Sequence, residues 1–279
     1  MRPTIVFSHA NGFPAGTYRL LFEAWRDAGF TVVAIDRYGH DPAYPVTSNW
    51  PRLREQLLQL VQAQGQPVHL VGHSMGGYLS LMAACKRPAL ARCVVLIDSP
   101  IVAGWRAHSV QVMKISGLMK RFSPGRVSMR RRWQWPSADA AYLHFSAKNN
   151  FARWQPEVLR DYIAAGTEPD TAHPGSVRLA FRREVETLLY NTLPHNLAGW
   201  LRLHPPTAPV HYIGGTRSTE GRQAGMVATR ALVHERLSWI EGSHLFPMER
   251  PAETAAAVLR CLGGRAAGPV DPGPCDGMG

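Results

Sequence analysis

Val68-His69-Leu70-Val71-Gly72-His73-Ser74-Met75-Gly76-Gly77 changes character at its midpoint. Val68 to Val71 is an apolar, partly β-branched run of the kind a buried strand requires. From Tyr78 to Cys85 the residues are good helix formers with apolar spacing. Ser74 therefore stands at an abrupt strand-to-helix turn. Gly72 and Gly76 flank it two residues away, where a Cβ would crowd the turn. Such a turn lifts a hydroxyl clear of the backbone and puts the Met75 amide at a helix N-terminus, facing any negative charge that develops nearby. Ser74 is a candidate nucleophile and Met75 a candidate oxyanion donor. A Gly-rich loop with a solvated serine would read the same way, so the flanking sequence has to decide.

Working outward, six short apolar runs read as strands: residues 5–8, 31–35, 68–71, 94–97, 210–213 and 237–240. Helical patterns at 18–27, 50–63, 77–86 and 252–262 fall between or after them. Strands alternating with helices predict an α/β fold, a doubly wound and mostly parallel sheet of about six strands. Ligands then gather at the C-terminal strand ends. The alternation stops between residues 104 and 206, where amphipathic patterns at 139–148, 156–165 and 182–190 predict an all-helical insertion lying over the strand ends as a lid. Residues 1–103 and 207–262 would form the core. Residues 263–279, rich in Gly and Pro, are expected to be disordered.

The 279 residues are 45% hydrophobic, enough for a large globular core. No charged n-region with a long apolar stretch opens the chain, and no apolar run approaches the roughly 20 residues that span a bilayer. A soluble, cytoplasmic protein without a membrane partner is expected. Cys85 and Cys93 lie in apolar segments as buried thiols, and the four cysteines show no metal-ligand spacing. The net charge of +11 is uneven: residues 104–207 hold 15 Lys plus Arg against 7 Asp plus Glu, or +8. Arg130-Arg131-Arg132 is the densest spot, but Trp133, Trp135 and Pro136 follow it and no nucleic-acid motif is present. A solvated basic face is the reading taken, with no nucleic-acid partner, and an attraction for anionic substrates stays open. Nothing in the sequence sets an oligomeric state.

The order strand, Gly-His-Ser-Met-Gly, helix, helical insertion, strand and late histidine resembles the α/β-hydrolase superfamily over residues 3–262. The antiparallel strand pair that usually opens the family's sheet has no counterpart here. Ser8-His9-Ala10-Asn11-Gly12-Phe13-Pro14 looks like the family's oxyanion loop, which makes the Asn11 amide the partner of Met75. Ile240-Glu241-Gly242-Ser243-His244-Leu245-Phe246-Pro247 resembles the last strand and catalytic-histidine loop, so His244 is the implied general base.

The acid departs from the pattern. Ser218 occupies the place where the family usually has Asp, in Gly214-Gly215-Thr216-Arg217-Ser218-Thr219-Glu220. Asp98, closing the strand at 94–97, is the substitute preferred, since some branches, haloalkane dehalogenases among them, take their acid from that strand end. Glu220, two residues past the usual place, is the alternative. Asp36 and His73 read as supports of their loops. Tyr78, Trp105, Phe145, Phe151 and Trp154 are either pocket lining or core.

The resemblance implies a serine hydrolase acting on a small or medium carboxylic ester, thioester or lactone through an acyl-enzyme on Ser74, with no metal or organic cofactor. A C–C bond hydrolase, a hydroxynitrile lyase, an acyltransferase and a non-catalytic ligand-binding relative fit the same constellation. No G-x-G-x-x-G follows the first strand and there is no P-loop, so dinucleotide and P-loop chemistry drop out.

Overall fold

Thr4-Ile5-Val6-Phe7-Ser8 offers no long polar side chain to either side, and β1 (Thr4–Ser8) is buried along its whole length. A strand covered on both faces belongs inside a parallel sheet flanked by helices. The computed structural model, which describes residues 2–116 and 125–263, has this arrangement. β1 pairs in parallel with β2 (Thr31–Ala34) on one side and β3 (Val68–His73) on the other, and β3 pairs with β4 (Ala91–Ile97). After β5 (Gln134–Trp135), β6 (Thr167–Pro169) and β7 (Val177–Leu179), the chain returns to the sheet with β8 (Val210–Gly215) and β9 (Leu237–Ile240). The strand order is β2-β1-β3-β4-β8-β9, every neighbouring pair parallel. All six expected strands are present. β3 and β8 each run two residues past their apolar cores.

The helices α1 (Arg19–Asp27), α2 (Pro51–Gln62) and α3 (Met75–Lys86) follow β1, β2 and β3. Alternate strand residues sort onto two faces. Phe7, Val71 and Ile97 join a cluster with Trp25 of α1, while Val6, Leu70 and Leu96 join one with Leu57 of α2 and Leu79 of α3. Because β2 lies on one side of β1 and β3 on the other, the chain reverses direction across the sheet between β1 and β3. Their C-terminal ends diverge there, past the last register pair Ser8–Gly72, and open a crevice.

The insertion carries α4 (Gly104–Ile115), α5 (Gly125–Arg130), α6 (Ala138–Ser146), α7 (Pro156–Gly166), α8 (Arg183–Asn191) and α9 (Leu197–Leu203). It is not all-helical as the sequence predicts: β5, β7 and β6 form a three-stranded antiparallel sheet. Strands of two or three residues that include Glu168, Pro169 and Arg178 hold neither an apolar run nor a full period of alternation, so periodicity cannot register them. The insertion also shares the core of the large sheet, since Trp135, Phe145, Trp154 and Tyr162 belong to the cluster containing Phe7 and Trp25.

The basic run is a second correction. Arg130 and Arg132 are exposed, but Arg131 turns inward and pairs with the buried Glu186 of α8 at 3.1 Å. A triplet of identical residues gives no phase from which the inward one can be picked.

The chain ends with α10 (Thr219–Ala224), α11 (Val227–Val233), α12 (Phe246–Glu249) and α13 (Pro251–Gly263). The tail expected to be disordered lies outside the described residues from 264 onward. Cys85 and Cys93 are buried free thiols, and burial pushes both up to about 12. No helix among the described residues is long and apolar enough to cross a membrane.

Candidate active site

Ser74 occupies the turn between β3 and α3 at φ 53° and ψ −116°, a backbone conformation that a side chain strongly resists. The surroundings hold it there. Its N–H donates to the Ile97 carbonyl at 2.9 Å, and its own carbonyl accepts the Gly77 N–H at 3.0 Å. The two flanking glycines leave no room for anything larger. A Cβ on Gly76 would sit 1.9 Å from the Ser8 carbonyl oxygen, and one on Gly72 would sit 2.2 Å from the Gly76 carbonyl. Backbone packs directly on backbone, so the strain has no local way out.

His244 lies in the loop between β9 and α12. The Glu249 carboxylate pins that loop, accepting the Ser243 hydroxyl at 2.5 Å and the Ser243 N–H at 3.2 Å. His244 Nδ1 is 2.6 Å from Asp98 Oδ2 and 3.8 Å from Glu220 Oε2. Of the two carboxylates left open by the sequence, Asp98 is the one in hydrogen-bond contact.

Asp98 leaves β4 with a positive φ of 44° and is held by its N–H to the Ile213 carbonyl at 2.8 Å. Four donors satisfy its buried carboxylate. Gly215 N–H at 3.0 Å and Tyr212 O–H at 3.3 Å reach Oδ1, while Ser218 O–H at 2.5 Å and the His244 imidazole reach Oδ2. Burial alone would raise the Asp98 pKa. The His244 bond and charge, with the Ser218 and Gly215 donors, outweigh it and hold the carboxyl below its usual range. For His244, burial works to lower the pKa, but the Asp98 bond and charge, with Glu220 behind, carry it upward. Ser218 in the usual acid position thus serves Asp98 as a donor. The ligand-type atoms of Asp98, Glu220 and His244 all fall within 4.8 Å of one another.

Ser74 and His244 both line two adjoining spaces. One is a cavity of about 450 Å³, also bounded by Tyr78, Trp105, Arg106, Met113 and Leu193. The other is a recess of about 90 Å³ lined by Ala10, Asn11, Phe13 and Met75 among others. All five residues singled out in the sequence, Ser74, His244, Asp98, Asn11 and Met75, are therefore brought together. Tyr78 and Trp105 line the cavity, whereas Phe145, Phe151 and Trp154 stack in an aromatic core cluster. Asp36 is exposed and pairs with Arg37, as its loop role predicts.

His73, read in the sequence as a support of its loop, and His9 act as joints whose partners the sequence does not specify. The Ala10 N–H donates to the Tyr18 hydroxyl oxygen at 3.2 Å, and Tyr18 bonds His73 Nδ1 at 2.8 Å. His73 Nε2 then donates to the His244 carbonyl at 2.9 Å. His9 spans Ala10 and Tyr38 in the same way, donating from Nδ1 to the Ala10 carbonyl at 2.8 Å and accepting the Tyr38 N–H on Nε2 at 3.0 Å. His9 uses one nitrogen as donor and the other as acceptor, which only the neutral ring can do. Burial depresses His9 to about 4, and burial together with the His244 charge depresses His73 to about 3.

The unfolded chain binds protons at these histidines near pH 6.5 and the folded one only near 4 or 3, so stability falls as pH drops through that window. His9 alone accounts for about 3 kcal/mol across its shift at 1.36 kcal/mol per unit. A fall in Tm of roughly 10 °C between pH 7 and pH 4.5 is expected by differential scanning calorimetry. A level Tm over that range would show that neither imidazole is locked neutral.

A family model described as the Alpha/beta hydrolase family matches residues 5–257. The monoglyceride lipase of Rattus norvegicus is 34% identical over 119 residues, 40% of this chain and 39% of that one. The human monoglyceride lipase is 34% identical over 106 residues, 35% of each chain. The matched stretches thus span well under half of the curated relatives' length. Among solved structures, an E-2-(acetamidomethylene)succinate hydrolase superposes with a TM-score of 0.75 at 21% identity, covering 94% of this chain and 92% of that one. The thioesterase domain from the curacin biosynthetic pathway gives 0.71 at 19% identity, covering 92% and 91%. With the strand order, the elbow at Ser74 and a family match over nearly its whole length, this chain belongs to the alpha/beta hydrolase family.

Proposed function

We propose that the protein is a serine hydrolase that cleaves a small or medium carboxylic ester, thioester or lactone through an acyl-enzyme on Ser74. The observation that carries this reading is the strained Ser74 at the mouth of a cavity it shares with His244, whose Nδ1 is tied to the buried Asp98 at 2.6 Å. With Nδ1–H committed to Asp98, His244 has Nε2 free to accept the Ser74 proton as the hydroxyl attacks the acyl carbonyl. Asp98 stabilises the imidazolium. The Asn11 and Met75 amides, beside Ser74 in the smaller recess, receive the oxyanion. The imidazolium then protonates the leaving oxygen or sulfur, and water repeats the cycle to release the acid.

The monoglyceride lipases that it resembles act, by their name, on a glycerol ester, which supports a carboxylic ester as substrate. A cavity of about 450 Å³ is of small-molecule size. Trp105 and Met113 of α4, together with Leu193, come from the insertion and roof that cavity, which supports the insertion's role as a lid. The test is a p-nitrophenyl ester series from acetate to decanoate, run beside labelling with a fluorophosphonate and mapping of the adduct by mass spectrometry. Turnover with the label on Ser74 is expected. Failure of every ester together with an unlabelled Ser74 would overturn the reading.

A further inference from the structure

On the side of Asp98 that Gly215 and Ser218 border lies a further cavity of about 200 Å³, which neither Ser74 nor His244 lines. Arg106 of α4, Arg222 of α10 and Arg230 of α11 line it, with Thr216, Met226 and Trp239 among the other wall residues. Elsewhere the arginines of this molecule are commonly answered by carboxylates, as in Arg19 with Asp161, Arg131 with Glu186, Arg178 with Glu168 and Arg217 with Glu241. None of these three has a carboxylate within 4.0 Å among the described residues. Asp98 borders the cavity, but its oxygens are already taken by four donors.

Arg106 is the hinge of the arrangement, because it lines both this cavity and the one that holds Ser74 and His244. Its guanidinium stacks on Trp105, 4.9 Å from the ring centroid. It also lies so close to the backbone of Gly225 that a Cβ there would meet Nη1 at 2.6 Å. Position 225, at φ +77°, therefore both turns the chain between α10 and α11 and makes room for the guanidinium. Three guanidinium groups line one cavity, none with a carboxylate within 4.0 Å among the described residues, and such a surround favours an entering anion. A planar guanidinium presents paired donors suited to carboxylate or phosphate.

We propose that the substrate is an ester or thioester carrying an anionic group away from its scissile carbonyl, and that Arg106, backed by Arg222 and Arg230, binds that group. The inference rests on the serine-hydrolase reading. The anion can belong to the acyl part, as a distal carboxylate, or to the leaving part, as a phosphate.

The test compares matched substrates. The acyl arm sets p-nitrophenyl hemisuccinate against p-nitrophenyl butyrate, and the leaving-group arm sets acetyl-coenzyme A against acetylpantetheine. In at least one arm kcat/KM is expected to favour the anionic member by about 10- to 100-fold, the size of a hydrogen bond to a charged group. That preference should shrink with added NaCl and collapse towards 1 in Arg106→Met. The arm that responds identifies where the charge sits. No preference in either arm, or a preference that survives Arg106→Met, overturns the proposal.

A readout without turnover separates it from the hydrolase reading. Glutarate and inorganic phosphate are titrated calorimetrically into Ser74→Ala and into Ser74→Ala/Arg106→Met. Binding of either anion that is lost in the double variant supports the arginine site even if no ester is hydrolysed. Binding of neither anion to Ser74→Ala counts against the site even where neutral esters are turned over.

Discussion

Ser74→Ala is expected to lower kcat by several orders of magnitude, up to about 10⁶-fold by analogy with other serine hydrolases, without unfolding the chain. Alanine has the same Cβ as serine, so the positive φ at this position is no harder to sustain, and the backbone bonds to Ile97 and Gly77 are untouched. What disappears is the atom that the proposed mechanism bonds to the acyl carbon. His244→Ala should cost a comparable factor, because an unassisted hydroxyl is a weak nucleophile near neutral pH. The double variant should be scarcely worse than either single one, since the two groups act in one step. Steady-state ester hydrolysis, with circular dichroism as the control for folding, checks all three. Losses that multiply in the double variant would mean that serine and histidine work separately.

Asp98→Asn carries the second large effect, about 10⁴-fold on kcat by analogy with the serine-protease triad. The introduced amide can still accept a hydrogen bond, but it cannot balance the charge of the imidazolium. Its NH₂ group can also favour the wrong imidazole tautomer. Glu220→Gln should cost less than about tenfold, because that carboxylate stands 3.8 Å from Nδ1 where Asp98 stands at 2.6 Å. The pH profile separates a charge effect from a packing effect. His244 must be neutral to take the proton, and Asp98 raises its pKa, so the acid limb of kcat/KM in the wild type should fall above the ordinary histidine value of 6.5. In Asp98→Asn that limb should move to lower pH. Near wild-type activity in Asp98→Asn with loss in Glu220→Gln would assign the acid to Glu220.

The residues of the candidate site were legible because each sits at a place where local sequence and backbone geometry coincide. Gly72 and Gly76 mark the elbow, the apolar run at 94–97 ends on Asp98, and His244 follows the apolar run at 237–240. The sequence narrowed the acid to Asp98 or Glu220, and only the folded distances, 2.6 Å against 3.8 Å from His244 Nδ1, favour Asp98. Other features had no local signature. Tyr18 and His73 meet across 55 residues and His73 meets the His244 carbonyl across 171, so their bonds exist only once the sheet has closed. The short strands of the insertion are below the length at which a period can be read. Arg131 turns inward to partners distant in sequence, Tyr162 and the buried Glu186, the latter 55 positions later.

The line of bonds from Ala10 through Tyr18 and His73 to the His244 carbonyl has a consequence for the order of assembly. It ties the loop after β1, the end of β3 and the loop after β9, segments at opposite ends of the chain. A fragment ending after β3 holds Ala10, Tyr18 and His73 but lacks the His244 carbonyl that completes the line. Contacts of such long sequence separation form late and make folding slow. The bond line that fixes the His244 loop is therefore expected to be complete only once β9 and its loop have docked on the sheet.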